Sequence, residues 1–261
     1  MRARIFKLDA FTTQRFRGNP AAVVLLPSFP DESLMQMVAA ENMLPETAFL
    51  VSENSDYRLR WFTPATEVPL CGHATLASAA VVMERLETDR KQVVFGSASG
   101  PLQVNKTAAG YTMDFPARFS DRVSLPQILA EAIGAVPVEV YANEYNYLAV
   151  LESEDVVRRL VPDMALISRL DRSGLIVTAA GSNGYDFVSR YFAPAKGIPE
   201  DPVTGGAHCM LAPYWAKQLG KTEFRAFQAS ARGGEMLCRL RGNRVELEGN
   251  CVFYLEGEID F

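Results

Sequence analysis

Cysteine and histidine are scarce in this sequence of 261 residues, which holds four of the first and two of the second. Cys71, Cys209, Cys238 and Cys251 are widely spaced with no CxxC pair, and His73 and His208 form no HxxxH pair. That excludes a disulfide scaffold for a chain of this length, and no metal site is expected. Long basic runs are missing too. With 26 Lys and Arg against 31 Asp and Glu the formal net charge is −5, so binding of nucleic acid through phosphate neutralisation is not expected. No stretch approaches the roughly 20 apolar residues of a membrane span. The opening Met1-Arg-Ala-Arg4 and the mixed residues after it lack the apolar region of a secretory signal. A cytoplasmic protein with no membrane partner is therefore expected. What the chain does have is apolar material, 48% of residues, enough for two cores of ordinary size.

The apolar material is organised by an internal repeat. Arg60-Trp-Phe-Thr-Pro-Ala65 matches Arg190-Tyr-Phe-Ala-Pro-Ala195 at an offset of 130 (190 less 60), and Pro69 matches Pro199 at the same offset. After an insertion of three residues, Cys71-Gly-His-Ala74 falls on Thr204-Gly-Gly-Ala207, which places Asp201 in an insertion peculiar to the second repeat. Thr75–Leu86 and His208–Leu219 follow as nearly all-apolar runs, each read as a helix buried on most of its circumference. Further out, Val51…Arg60 corresponds to Val177…Arg190, Phe95–Gly100 to Phe227–Gly233, and Gly110–Phe115 to Gly242–Leu247, all with the look of strands and turns. A helix with no polar face must be surrounded, and a curved sheet wrapped around it satisfies both elements. The expected fold is α+β: two pseudo-symmetric domains, each a barrel-like, mostly antiparallel sheet around a central apolar helix. Their expected ranges are 1–117 and 118–261, with a linker near Pro116–Ser124 and the extreme C-terminus able to return to the first domain. A shorter helix after Asp31, its expected cap, would bury Leu34, Met37 and Val38 and end before Pro45.

Candidate chemistry sits where the halves repeat. Both deliver glycine to the start of a buried helix, at Gly72 and at Gly205-Gly206, where unpaired N–H groups and the helix dipole favour an anion and glycine lets it come close. If both helix starts faced one cleft, a substrate carboxylate would be the natural occupant. Glu46, a lone carboxylate between Pro45 and an apolar strand, suits proton transfer. Asp201 stands before Pro202 in the second repeat, and His73 lies in the first helical turn, where the dipole is expected to favour the neutral imidazole. His208, one position inside its helix, is read as structural.

Asp9-Ala-Phe-Thr…Gly18-Asn-Pro-Ala-Ala-Val-Val24, Glu46-Thr-Ala-Phe49, Arg60-Trp-Phe-Thr-Pro…Cys71-Gly-His-Ala-Thr-Leu-Ala77 and Asp201-Pro-Val-Thr-Gly-Gly-Ala-His208 together resemble the PhzF-like family of phenazine biosynthesis, which shares the fold of diaminopimelate epimerase. The resemblance runs from Phe6 to about Glu256. It implies an isomerase with an active site between two domains, no cofactor, a small carboxylate-bearing substrate and a homodimer. It implies Glu46 as the acid/base that moves a proton, His73 and Asp201 assisting it, backbone amides around Gly72, Gly205 and Gly206 holding the substrate carboxylate, and Asn19 facing the same cleft. One residue departs from the pattern: the phenazine enzyme has Ser where this chain has Gly206, so a hydroxyl hydrogen bond is lost while backbone recognition survives.

Two other classes of function fit parts of the sequence. A cofactor-independent amino-acid epimerase would use two opposed thiols; Cys71 could be one, but its repeat partner is Thr204. A non-enzymatic binder of small acids would keep the helix starts without turnover.

Overall fold

The structure, a computed structural model, describes residues 1–261 and divides into two compact units, Met1–Asp114 with Glu248–Phe261, and Phe115–Leu247. The first contains β1 (Arg2–Ala10), β2 (Asn19–Leu26), α1 (Glu32–Asn42), β3 (Glu46–Glu53), β4 (Asp56–Phe62), β5 (Glu67–Val68), α2 (Gly72–Val81), β6 (Gln92–Gly96), β7 (Leu102–Lys106) and β8 (Tyr111–Pro116). The second contains β9 (Asp121–Arg122), α3 (Gln127–Ile133), β10 (Glu139–Ala142), β11 (Asn146–Val150), α4 (Glu154–Arg159), α5 (Met164–Ile167), β12 (Gly174–Ala180), β13 (Phe187–Ala193), β14 (Ile198–Asp201), α6 (Gly205–Leu219), β15 (Glu223–Gln228), β16 (Gly234–Arg241) and β17 (Arg244–Gly249). The last strand, β18 (Cys251–Asp260), returns to the first unit and pairs antiparallel with β1 from Arg2↔Asp260 to Ala10↔Cys251.

Strand pairing repeats step for step. In the first unit β1 is antiparallel to β2, β2 parallel to β3, β3 antiparallel to β4, and β4 antiparallel to β5 and parallel to β6, which is antiparallel to β7. In the second, β10 to β16 pair with the same sequence of directions. The period of two along β2 sends Ala22, Val24 and Leu26 into a core shared with Met35, Val38 and Ala39 of α1. α2 packs against β1, β2, β3 and β18, with His73 through Val81 all buried. In the second unit α3, α4 and α5 cover one core with β10 to β13, while α6 packs on β16 and stacks Trp215 on Phe187 of β13 at 5.6 Å. A nearly all-apolar, largely buried helix packed on the sheet is thus present in each unit.

The pairing also corrects the alignment of the repeats. Arg60 of β4 holds Glu67 of β5 through Nε and Nη2, and Arg190 of β13 holds Glu200 of β14 in the same way. Trp61 faces Val68, and Tyr191 faces Asp201. Glu67 therefore corresponds to Glu200, Val68 to Asp201 and Pro69 to Pro202. The three extra residues lie earlier, around the 3-10 turn Pro194–Lys196, and Asp201 is not part of the insertion. In the same way Tyr57↔Phe95 and Phe187↔Ala226 make Ala226 the partner of Phe95, one residue from the sequence alignment, and both are buried where Phe227 is only partly so.

α1 differs from its expected face: Met35, Val38 and Ala39 are buried and Met37 is exposed. Asp31 stands at the N-cap but accepts no hydrogen bond on its side chain; its carbonyl takes the N–H groups of Leu34 and Met35. The second apolar run carries Pro213 inside α6, which removes the N–H that would reach the carbonyl of Cys209; the N–H of Arg118 donates to that carbonyl at 2.8 Å instead. No helix is long and apolar enough to cross a membrane.

Candidate active site

Four residues meet in the first unit. Glu46 is the first residue of β3, opposite Ala21 of β2, and is buried. Asn19 opens β2, and Cys71 and His73 occupy the N-cap and first turn of α2. Oε2 of Glu46 lies 3.1 Å from Nε2 of His73, an ion-pair contact without the angles of a hydrogen bond, so both atoms keep unused hydrogen-bonding capacity in a buried place. On the other side of the ring, Nδ1 faces Nδ2 of Asn19 at 3.1 Å and Sγ of Cys71 at 3.5 Å. The imidazole is held from both edges and its orientation is fixed.

Burial opposes a charge on His73, but its surroundings, the Glu46 carboxylate among them, outweigh it and hold the imidazole well above its ordinary range. The expectation of a neutral ring rested on the helix dipole alone; a carboxylate in contact is the stronger influence. The Cys71 thiol is pushed up, first by burial and then by the Glu46 charge, so it is a protonated neighbour and not a ready nucleophile. Glu46, Cys71 and His73 each bring one ligand atom within 4.8 Å of the others, a donor set of the kind zinc takes. Metal binding there would require ionising a thiol that its surroundings keep protonated.

Asp201, Gly205 and Gly206 lie together in the second unit. The Thr204 hydroxyl donates to Oδ2 of Asp201 at 2.5 Å, and Gln228 closes the turn, donating from Nε2 to the Asp201 carbonyl at 2.6 Å and accepting the Thr204 N–H at 2.8 Å. Gln228 was not singled out in the sequence; only the sheet register, which puts it opposite Ser189, brings it to this turn. α6 starts at Gly205, and Gly205, Gly206 and Ala207 supply its unpaired first-turn N–H groups.

His208 is structural, as read. Its Nδ1 donates to the Thr204 carbonyl at 2.8 Å, the same bond that the hydroxyl of its repeat partner Thr75 makes to Cys71 at 2.5 Å. Complete burial lowers His208 to about 4 from the ordinary 6.5. A base lowered on folding stabilises the fold fully above pH 6.5, and that stabilisation is lost as pH falls towards 4, about 3 kcal/mol in all. Urea unfolding is expected to show this slope between pH 6.5 and 4 in the parent protein and to lack it in His208→Thr, where threonine keeps the hydrogen bond.

The pairing register decides how many acid/base groups the repeat provides. Thr47 faces Phe62 and Leu175 faces Phe192, so the counterpart of Glu46 is Gly174. A Cβ there would lie 2.2 Å from Oδ1 of Asn146 and 2.4 Å from the hydroxyl of Tyr191. At this position the duplicated fold carries a glutamate in the first unit and a glycine in the second.

The sequence profile of the phenazine biosynthesis-like protein family, PhzC-PhzF, matches residues 8–257. The chain belongs to this family. It is 48% identical over 259 residues, 99% of both chains, to a Pseudomonas aeruginosa protein named an uncharacterized isomerase. The crystal structure of a PhzF family protein from Enterococcus faecalis superposes with a TM-score of 0.96 at 42% identity, covering 100% of both chains. A hydroxyproline epimerase from Agrobacterium vitis, solved with trans-4-hydroxy-L-proline, matches with a TM-score of 0.66 over 99% of this chain and 92% of its own. At 11% identity that likeness shows the fold alone. The PhzF family member described here has the diaminopimelate epimerase-like fold and is an isomerase, as its bacterial relatives at 45–48% identity are named.

Proposed function

We propose that the protein isomerises a small, carboxylate-bearing metabolite, cyclic or unsaturated, by moving a proton without a cofactor, and that Glu46 is its general acid/base. The observation that carries this reading is the buried Glu46–His73 contact, with Oε2 uncommitted and the imidazole held between Asn19 and Cys71. A carboxylate takes a proton from carbon most readily where water is excluded and the conjugate charge is stabilised nearby. His73, raised by the same carboxylate, supplies that stabilising charge and can return a proton. First-turn N–H groups at Gly72, beside His73, suit the negative charge that develops on the substrate, and those at Gly205 and Gly206 form a like anion-favouring helix start in the second unit. Asp201 supports the second of these turns through Thr204.

Glycine at the position equivalent to Glu46 favours transfer by one group that both removes and redelivers the proton. A two-thiol epimerase is disfavoured on the same ground: Cys71 is matched by Thr204, whose hydroxyl is engaged by Asp201. In deuterated water the protein is expected to catalyse uptake of one deuterium at a carbon next to the carboxylate or along its conjugated system, across a panel of cyclic and unsaturated carboxylic acids read by mass spectrometry. Thermal stabilisation by several of these acids with neither exchange nor turnover would establish a binding protein in its place.

A further inference from the structure

We propose that Arg118, with the first turn of α6, recognises an anionic group in the second unit, the glycine at 206 leaving open the space beneath the guanidinium. This deepens the isomerase reading and rests on it for the identity of the ligand as a carboxylic acid. Three observations carry it. A Cβ added to Gly206 would stand 3.6 Å from Nη1 and 4.0 Å from Cζ of Arg118, so the guanidinium lies over the first turn of α6. No carboxylate or hydrogen-bond acceptor of the protein holds its guanidinium, which lies over the face of Tyr145 with Cζ 5.2 Å from the ring centre. And its backbone is anchored, since Pro213 frees the carbonyl of Cys209 to take the Arg118 N–H at 2.8 Å.

A cation over a helix N-terminus is in an unfavourable place, because the unpaired N–H groups there carry partial positive charge. Lys196 adds a further positive charge: its ammonium lies 3.4 Å from the Tyr191 hydroxyl, and burial together with the charge of Arg118 lowers it, against the pull of Asp201. Cations close to a helix start are relieved by an anion. Arginine meets a carboxylate with two parallel N–H groups, and the α6 amides would approach the same group from below. Glycine at 206 keeps the space between guanidinium and amides open. The chemical class recognised is a planar carboxylate on a small molecule.

The test is direct binding to the full chain, which needs no proton transfer. Sorbate, cyclohex-1-ene-1-carboxylate and fumarate are titrated calorimetrically beside their primary amides. The parent protein is expected to favour at least one acid over its amide tenfold or more. Arg118→Met, which keeps the apolar stem on Tyr145, is expected to lose at least tenfold in affinity for that acid with its amide unchanged, and Arg118→Lys to recover part of the loss. Equal melting temperatures in the absence of ligand show that the variants are folded. A parent protein without acid preference for any probe, or an Arg118→Met variant that retains it, overturns the assignment. Glu46→Gln is expected to keep the preference, so failure of the proton-transfer reading and failure of this one give different results.

Discussion

Glu46→Gln is expected to lower solvent-deuterium uptake and turnover by about 10²–10⁴-fold, the range that general acid/base transfer contributes. Glutamine keeps the size and polarity of the side chain but loses its negative charge and with it the ability to accept and return a proton. The repeat supplies no second carboxylate at this position, because the register puts Gly174 there, beneath the Tyr191 hydroxyl. The Cys71 thiol is no substitute, being pushed up by burial. The melting temperature is expected to stay close to that of the parent protein, since the Glu46–His73 contact is not a well-aligned hydrogen bond. Undiminished label uptake in the variant would remove Glu46 from the role.

Gly18→Ala is expected to have the largest effect on stability, about 3–5 kcal/mol, measured by urea unfolding. Gly18 has φ 65°, the left-handed region that an alanine enters at a cost of about 1 kcal/mol. Space adds the greater part: a Cβ would lie 2.1 Å from the Ala10 carbonyl oxygen and 2.8 Å from Cγ2 of Thr12. The first of these is backbone in β1 and cannot swing away. Since Ala10 pairs with Asn19, any relief by shifting the strands also moves the amide that steadies His73. A reduced kcat is therefore expected even where the variant remains folded. Gly134→Ala, also at φ 65° but with nothing within 4 Å of the added Cβ, isolates the backbone share and is expected to cost only about 1 kcal/mol.

The fold was legible because the repeat left its marks on residues with no freedom to change singly. Arg60 and Arg190 each grip a glutamate across two strands, and the all-apolar helices can exist only inside something. The position of the insertion was not legible. Pro199 offers as good a match to Pro69 as Pro202 does, and only the ion pairs to Glu67 and Glu200 choose between them. In the candidate site, Glu46, His73 and Asn19 could be named from the sequence, whereas the protonation preference of His73 could not. It depends on a carboxylate 27 residues away (73 less 46) that a local dipole argument does not contain. Arg118 fell in the stretch read as a linker, Pro116–Ser124, where nothing in residue type distinguishes it from Arg122. What sets it apart is a missing N–H at Pro213, 95 residues further on (213 less 118).

The return of β18 to β1 has a consequence for the order of events during translation. Residues 115–247 form a continuous unit whose strands and helices are all present once they have left the ribosome. The unit made first lacks its closing strand until residues 248–261 have emerged. Nascent chains usually mature from the amino end. Here the second unit can close before the first, and β1 keeps one unpaired edge, the kind of surface on which chains aggregate, until β18 has been made.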